Sequence, residues 1–228
     1  MASTKLPTNL DELAMLAEDA ADGARQLETT LGLKQNTEAA IRADLADQTA
    51  RKSAYDTLAS AGMAKSTAVT VARSNTRAFL TSTRDVFKNF FGAKPSAAWA
   101  AAGWPANSIA VPANSELLLP LLKSVELYLT ANPARENAPL SLTAVAAAAL
   151  HAALTDARSA ANQQDQAERA ARDARDDSAD KMRKRLRGLI DELGQLLDPL
   201  DARWLAFGLK RPGAPESPDA VAGTRATP

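Results

Sequence analysis

The fold is decided by residues 141–198, which read SLTAVAAAALHAALTDARSAANQQDQAERAARDARDDSADKMRKRLRGLIDELGQLLD. From Leu142 to Leu197 this stretch has no proline and only two glycines, and it is rich in alanine, the strongest helix former. Ser141 is a candidate N-cap, and Asp198-Pro199 ends the pattern because a proline disfavours helical geometry in the residue before it. The stretch therefore predicts one helix, which at 1.5 Å per residue would be about 85 Å long.

The buried stripe of this helix can be followed by steps of three and four residues. Its middle is held by alanines and by polar residues such as Gln164, Glu168 and Arg175. Heptad spacing is what nearly parallel helices use to pack. Because the core positions of the middle are small or polar, we expect this section to be thinly packed, solvated or completed by another chain. Leucines hold the two ends of the stripe: Leu150, Leu154, Leu186, Leu189, Leu193 and Leu196.

A second long helix is predicted over residues 36–91, where the stripe runs through Phe79 and ends at Phe90. The pattern weakens around Gly62, which leaves a kink there as an open alternative. Shorter helices are predicted after the caps Asn9 and Asn114, at about 10–31 and 114–131. These patterns predict an all-α fold, an elongated antiparallel helical bundle or coiled-coil-like rod with two very long helices. The sequence alone leaves the relative direction of the two long helices open.

The two halves of the chain are similar when laid over each other with a shift of 105 residues, and such repeats indicate duplication. The sequence therefore predicts a duplicated unit of a short helix, a long helix and a short Trp-bearing helix. Its boundaries would be 1–105 and 106–210, followed by a Pro/Gly-rich tail or linker at 211–228. The matching positions are Pro7, Asn9, Leu13, Leu16, Trp99 and Gly103 against Pro112, Asn114, Leu118, Leu121, Trp204 and Gly208.

The three tryptophans are candidate interaction residues. Trp99 and Trp204 each follow a long helix, where a large side chain can fold back and cover the end of the bundle. The alternative is an exposed aromatic platform for a ligand. Trp104 has no aromatic counterpart, because Leu209 holds that position, and of the three it is the one that we expect to be partly exposed.

A basic run, Lys181, Arg183, Arg185 and Arg187 with Lys184 among them, is the feature that could contact polyanions. Acidic residues precede it directly, and they predict the ion pairs Asp177–Lys181 and Asp180–Lys184 at i,i+4 spacing. We interpret the run as a self-paired, solvated face, with polyanion contact as the alternative.

No residue constellation specifies a chemistry. The chain has no cysteine and one histidine, His151, so thiolate and multi-histidine metal sites are excluded. It has no glycine-rich phosphate loop and no strand–turn motif for a serine nucleophile. The 27 basic and 27 acidic residues balance, which gives no global attraction to nucleic acid. We therefore predict no enzyme activity and no cofactor, metal or nucleic-acid partner.

The tail from Pro215 to Pro228, PESPDAVAGTRATP, resembles the lead-in and first strand of a fibronectin type III module. With the segment Asp201–Gly208, DARWLAFG, it is similar to uncharacterised bacterial all-helical proteins that carry such a module after the helical region. The resemblance implies a helical domain in a modular, envelope-associated protein, and it implies no catalytic residue.

Two classes of function follow from these patterns. The first is a structural or interaction protein that self-associates or presents long helical faces to protein partners. The alternative is a bundle that binds a small molecule or polymer at its Trp-bearing ends. No stretch is apolar enough to span a membrane and no secretory signal is present, so the cytoplasm is the default expectation and envelope association stays open.

Overall fold

The computed structural model describes residues 6–105 and 107–213. Its α-helices are α1 (Leu10–Leu31), α2 (Glu38–Phe91), α3 (Ala97–Ala101), α4 (Ser115–Ala131) and α5 (Ala144–Leu196). Its 3-10 helices are η1 (Pro133–Arg135), η2 (Ala138–Leu140) and η3 (Ala202–Phe207). The described residues form no strand, only an isolated bridge between Asn137 and Leu142. The prediction of an all-α fold with two long helices is therefore confirmed, and α2 runs unbroken through Gly62. The tail after residue 213, with its resemblance to a fibronectin module, lies outside the described residues.

The chain forms two compact units, both built from the same kinds of element. Unit 1 comprises Met1–Asp56 and Ala170–Pro228, and unit 2 comprises Thr57–Arg169. Unit 1 holds α1, the start of α2, the end of α5 and η3, whereas unit 2 holds α4, the start of α5, the end of α2 and α3. Each long helix thus contributes to both units, so these units differ from the repeat boundaries at 105 and 210. The duplication itself stays a prediction.

Within unit 1 the two long helices pack antiparallel. Asp44 of α2 pairs with Lys181 and Arg185 of α5, and eleven residues further along α2 the ring of Tyr55 lies under the guanidinium of Arg175 at 4.4 Å. Positions therefore rise along α2 while their partners fall along α5. This contact pattern decides the direction that the sequence left open.

The core of unit 1 is made of alanines from α1 and leucines from α5. Small side chains on α1 allow the facing leucines and the η3 aromatics to approach closely. Leu196, predicted on the buried stripe, is exposed, and Leu197 is buried in its place. The helix ends at Leu196, so the chain leaves helical geometry and the next side chain turns inward. The buried residues include Leu13, Ala17, Ala20, Ala24, Leu186, Leu189, Leu193, Trp204 and Phe207.

The core of unit 2 is richer in aromatic side chains. Phe87 packs edge-on against Trp104 and Tyr128, with ring centroids 6.1 Å and 5.6 Å apart. Phe90, predicted on the stripe of α2, is exposed, and its ring is covered by the guanidinium of Arg135 at 4.3 Å. The other buried residues include Phe79, Leu80, Trp99, Leu118, Leu122, Val125 and Leu129.

The start of α5 corrects one cap assignment. Ser141 has a φ of 56° and ends η2, so it cannot cap α5. Thr143 does so instead, its Oγ1 accepting a bond from the amide of Ala146 at 3.1 Å. The carboxylate of Glu136 accepts a second bond from the amide of Ala144 at 2.7 Å. Two of the orphan amides that every helix start leaves are thereby satisfied.

The start of α2 has the same two caps. Thr37 Oγ1 accepts from the amide of Ala40 at 3.4 Å, and Glu28 Oε2 accepts from the amide of Glu38 at 2.9 Å. In both units a threonine before the long helix and a glutamate from the preceding segment therefore share the capping.

The caps predicted for the short helices are confirmed. Asn9 accepts bonds from the amides of Asp11 and Glu12, and Asn114 accepts one from the amide of Glu116.

Candidate functional site

All three tryptophans are buried, in two different units. Trp99 and Trp104 lie in the aromatic core of unit 2, and Trp204 lies in the core of unit 1. The expectation that Trp104 is partly exposed is wrong, because only 2% of this residue is exposed. It packs against Phe87 and against the Trp99 ring, whose centroid is 5.2 Å away. These rings offer no exposed aromatic platform.

Two of the indoles hold the ends of the long helices. Trp99 Nε1 donates to the carbonyl of Gly92, just after α2, at 3.0 Å. Trp204 Nε1 donates to the carbonyl of Asp198, just after α5, also at 3.0 Å. Trp104 Nε1 is buried without a hydrogen-bond partner among the described residues. Trp99 and Trp204 therefore act as anchors, whereas the indole of Trp104 contributes packing alone.

The turns that follow these two anchors match each other. Gly103 and Gly208 both have positive φ, 97° and 67°, a conformation that side chains other than glycine rarely adopt. A Cβ on Gly103 would collide with Ser124 of α4, and a Cβ on Gly208 would lie 2.7 Å from Asp19 Cβ of α1. Gly103 lies 105 residues before Gly208, and Asp19 lies 105 residues before Ser124. The two contacts are therefore equivalent under the shift, which agrees with the proposed duplication.

The basic run is largely used inside unit 1. Lys181 Nζ lies 2.8 Å from Asp44 Oδ1, and Arg185 Nε lies 2.8 Å from Asp44 Oδ2. Arg185 also donates to the carbonyl of Gln35 at 3.0 Å. The partner of Lys181 is thus Asp44 of α2, where the sequence predicted Asp177 of its own helix. The reason is geometric, because antiparallel packing brings a buried carboxylate to this face of α5.

The rest of the run divides between internal contacts and solvent. Arg183 donates to Asp180 at 3.0 Å and to the carbonyl of Thr8 at 3.0 Å, so Asp180 pairs at i,i+3 and not with Lys184 as predicted. Lys184 and Arg187 are exposed. Lys181, Arg183 and Arg185 therefore contact α2, the backbone just before α1 or α2, or an acidic residue of α5. Among the described residues, the run does not form a free cationic surface.

Asp44 is the electrostatic centre of this contact, with a side chain only 4% exposed. Burial alone would raise the pKa of its carboxyl, but the hydrogen bonds and charges of Lys181 and Arg185 outweigh burial and lower it below the ordinary value. The same hydrogen bond raises the pKa of Lys181. Both shifts favour the charged forms of Asp44 and Lys181, and the contacts of Asp44 with Lys181 and Arg185 tie α2 to α5.

A second carboxylate, Glu192 of α5, organises the segment before α2. It accepts from the amides of Lys34 at 2.7 Å and Asn36 at 3.2 Å, and from the side chain of Asn36 at 2.8 Å. Burial opposes ionisation, but these bonds prevail and lower the pKa of Glu192. This role was not foreseen, and the only signal for it in the sequence is an acidic residue in the otherwise leucine-rich last turns of α5.

These charged groups have structural partners, and their arrangement offers no reacting pair. His151 is half-buried on α5. Over residues 6–105 and 107–213, no cluster of three or more His, Cys, Asp or Glu side chains is placed to hold a metal ion. In the same part of the chain, no helix is both long enough and apolar enough to cross a membrane.

Each unit contains long stretches of α2 and α5 in which no residue is fully buried. In unit 1 no side chain is buried over residues 49–56 of α2 or 170–177 of α5. In unit 2 none is buried over residues 57–75 of α2 or 155–169 of α5. Met63 and Val71 are large apolar residues exposed on this part of α2. The candidate functional surface is therefore helical and lies away from the tryptophans and the paired part of the basic run.

Comparison with known proteins finds no matching family model, and no similar curated protein or solved structure.

Proposed function

We propose that the chain is a non-enzymatic structural or protein-interaction bundle, which works by self-association or by presenting its long helical faces to protein partners. The observation that carries the proposal is the set of uncovered stretches on α2 and α5. In unit 2, residues 57–75 of α2 include exposed apolar side chains, among them Met63, with 70% of its surface accessible. A helix this poor in buried contacts gains stability when another helix covers it.

The internal use of charge supports the same proposal. Two carboxylates with a lowered pKa hold distant parts of unit 1 together: Asp44 joins α2 to α5, and Glu192 joins α5 to the segment before α2. Perturbed groups of this kind are typical of structural ion-pair networks as well as of active sites. The partners of Asp44 and Glu192 within residues 6–105 and 107–213 are structural, so we assign both carboxylates to the fold.

The proposal is tested by the absolute mass of the chain in solution, measured by light scattering behind a sizing column over a concentration series. We expect a mass above the 24.0 kDa of one chain, rising with concentration or settling at a discrete oligomer. A mass that stays at 24.0 kDa at every concentration would contradict self-association.

A further inference from the structure

The α2 helix of unit 2 has a cationic face that nothing within the described residues neutralises. Between Thr57 and Arg84 the sequence contains no Asp or Glu. Arg73 and Arg77 are exposed on this stretch, and neither makes an ion pair in residues 6–105 or 107–213. Like charges at i,i+4 on a helix destabilise it by a few tenths of a kcal/mol. A bound anionic partner would remove that repulsion.

An open, shallow groove of about 620 Å³ lies along the same face, and every residue that lines it belongs to α2. Apart from Arg73 and Arg77, its lining residues are small. Helix axes approach to about 8–10 Å only where the side chains at the contact permit it, and hydroxyl groups can donate to carboxylates. The small lining residues are Thr70, Ser74, Ala78, Thr81 and Ser82.

An apolar contact point continues the groove. Met63, Thr70 and Arg77 follow one another at intervals of seven residues, so they share one face of α2. Met63 is 70% exposed, and a flexible methionine suits contact with a partner. The fitting partner is therefore a helix with carboxylates on one face and a flexible apolar residue among them.

Helix α1 of unit 1 has such a face. It carries six carboxylates and a single guanidinium, and its buried side is made mostly of Leu13 and alanines. Glu12 and Glu18 are exposed on the outer side, with Met15 between them at 67% exposure. Charge and apolar contact are thus complementary between α1 and the α2 face from Met63 to Thr81.

We propose that the α2 face from Met63 to Thr81 docks the acidic outer face of α1 of a second copy of the chain. The inference rests on the proposed function and names its partner. Arginines bind carboxylates through paired hydrogen bonds, and each new contact joins an exposed cation to an exposed anion around two methionines. A nucleic-acid strand fits less well, because this face has no exposed aromatic side chain on which bases could stack.

The test compares three charge-reversed forms of the full chain by sedimentation velocity. Arg73→Glu/Arg77→Glu reverses the cationic face, and Glu12→Lys/Glu18→Lys reverses the acidic one. We expect each variant alone to sediment as a monomer, and an equimolar mixture of the two to recover the wild-type assembly, because each reversed face then meets its complement.

A matched control separates this site from a general effect of charge. Lys184→Glu/Arg187→Glu makes the same change in net charge on exposed positions of α5, and it should sediment like the wild type. If the wild type associates but Arg73→Glu/Arg77→Glu matches this control, the docking site is refuted while self-association stands.

If the wild type is monomeric throughout, both the docking site and self-association are refuted. Heparin binding is the last measurement. If the wild type is monomeric and binds heparin through Arg73 and Arg77, the partner of this face is an anionic polymer and not a second copy, and the inference is overturned.

Discussion

Replacing Asp44 by asparagine removes the negative charge that Lys181 and Arg185 share, while keeping the size of the side chain. Both cations then lose their counter-ion at a point where the carboxylate is 4% exposed. The amide can still accept one hydrogen bond, but it cannot offset either positive charge. We expect unit 1 to be destabilised, because Asp44 joins the start of α2 to the end of α5.

The magnitude follows from the exposure of the two cations. A hydrogen bond to a charged group contributes about 1.5–3 kcal/mol when it is sheltered from water. Arg185 is 28% exposed and falls near the lower end of that range, whereas Lys181 is 59% exposed and contributes no more than a surface pair, about 0–1 kcal/mol. Asp44→Asn should therefore lower the free energy of unfolding by about 2 kcal/mol.

The assay is urea unfolding followed by far-UV circular dichroism, with Asp47→Asn as the matched control. Asp47 lies one turn away on α2, and its ion pair among the described residues is with exposed Arg51, at 3.3 Å, so its replacement should cost less than about 0.5 kcal/mol. If Asp44→Asn costs no more than Asp47→Asn, the charged contact does not hold the helices together and the reasoning is refuted.

The effect of Asp44→Asn also has a defined dependence on pH. Because the pKa of Asp44 is lowered in the folded chain, its contribution is complete above the ordinary carboxyl value and is lost as pH falls through the folded value. The difference in stability between wild type and Asp44→Asn should thus be constant near neutrality and should shrink below about pH 4. A difference that grows on acidification would contradict the assigned charge state.

Three further changes test other contacts by urea unfolding. Gly23→Ala should lower the free energy of unfolding by about 2 kcal/mol, because the added carbon would lie 2.5 Å from a backbone oxygen of η3. Gly194→Ala should raise it by about 0.5–1 kcal/mol, since nothing lies within 4 Å of the added carbon. Equal effects of the two changes would count against the packing of η3 on α1. Trp99→Phe should lower the free energy of unfolding by about 1–3 kcal/mol more than Trp104→Phe does. Of these two indoles, Trp99 donates a hydrogen bond and Trp104 has no acceptor among the described residues. A larger loss for Trp104→Phe would refute the anchor role of Trp99. Glu192→Gln should lower the free energy of unfolding by about 1–2 kcal/mol near neutrality. Because the pKa of Glu192 is lowered in the folded chain, this loss should become smaller as pH falls below about 4. A loss that does not depend on pH would exclude an ionised acceptor.

The ends of the short helices could be predicted because they depend on adjacent residues. Asn9 and Asn114 cap through their own side chains, and Gly32 ends α1 with a φ of 74°. The continuity of α2 across Gly62 follows the same logic, since one glycine costs only about 1 kcal/mol in a helix. Local propensity therefore gave the helices and most of their ends.

The start of α5 could not be predicted in the same way. Ser141 and Thr143 are both acceptable caps by residue type, and the choice between them depends on the turn that precedes the helix. Paired hydrogen bonds between the backbones of Asn137 and Leu142 close that turn. Ser141 is thereby held in a left-handed conformation, which leaves Thr143 as the cap.

The candidate site depended on contacts distant in sequence. Asp44 and Arg185 are 141 positions apart, so nearest-neighbour rules assigned the acidic partners to residues just before the basic run. Trp104 was misjudged for a related reason, because its ring packs against Phe87 of α2 as well as against Trp99 of its own segment. Charge balance and aromatic position in a sequence leave such pairings undetermined until helix direction is known.

The most direct test of association through the long helical faces is the rate of methionine oxidation by dilute hydrogen peroxide, followed by mass spectrometry. Met63 is exposed on the uncovered part of α2, whereas Met182 is buried in the core of unit 1 and serves as the internal control. We predict that Met63 oxidises quickly in dilute solution and several-fold more slowly at high protein concentration, while Met182 stays protected in both. An equal rate for Met63 at both concentrations would contradict the account.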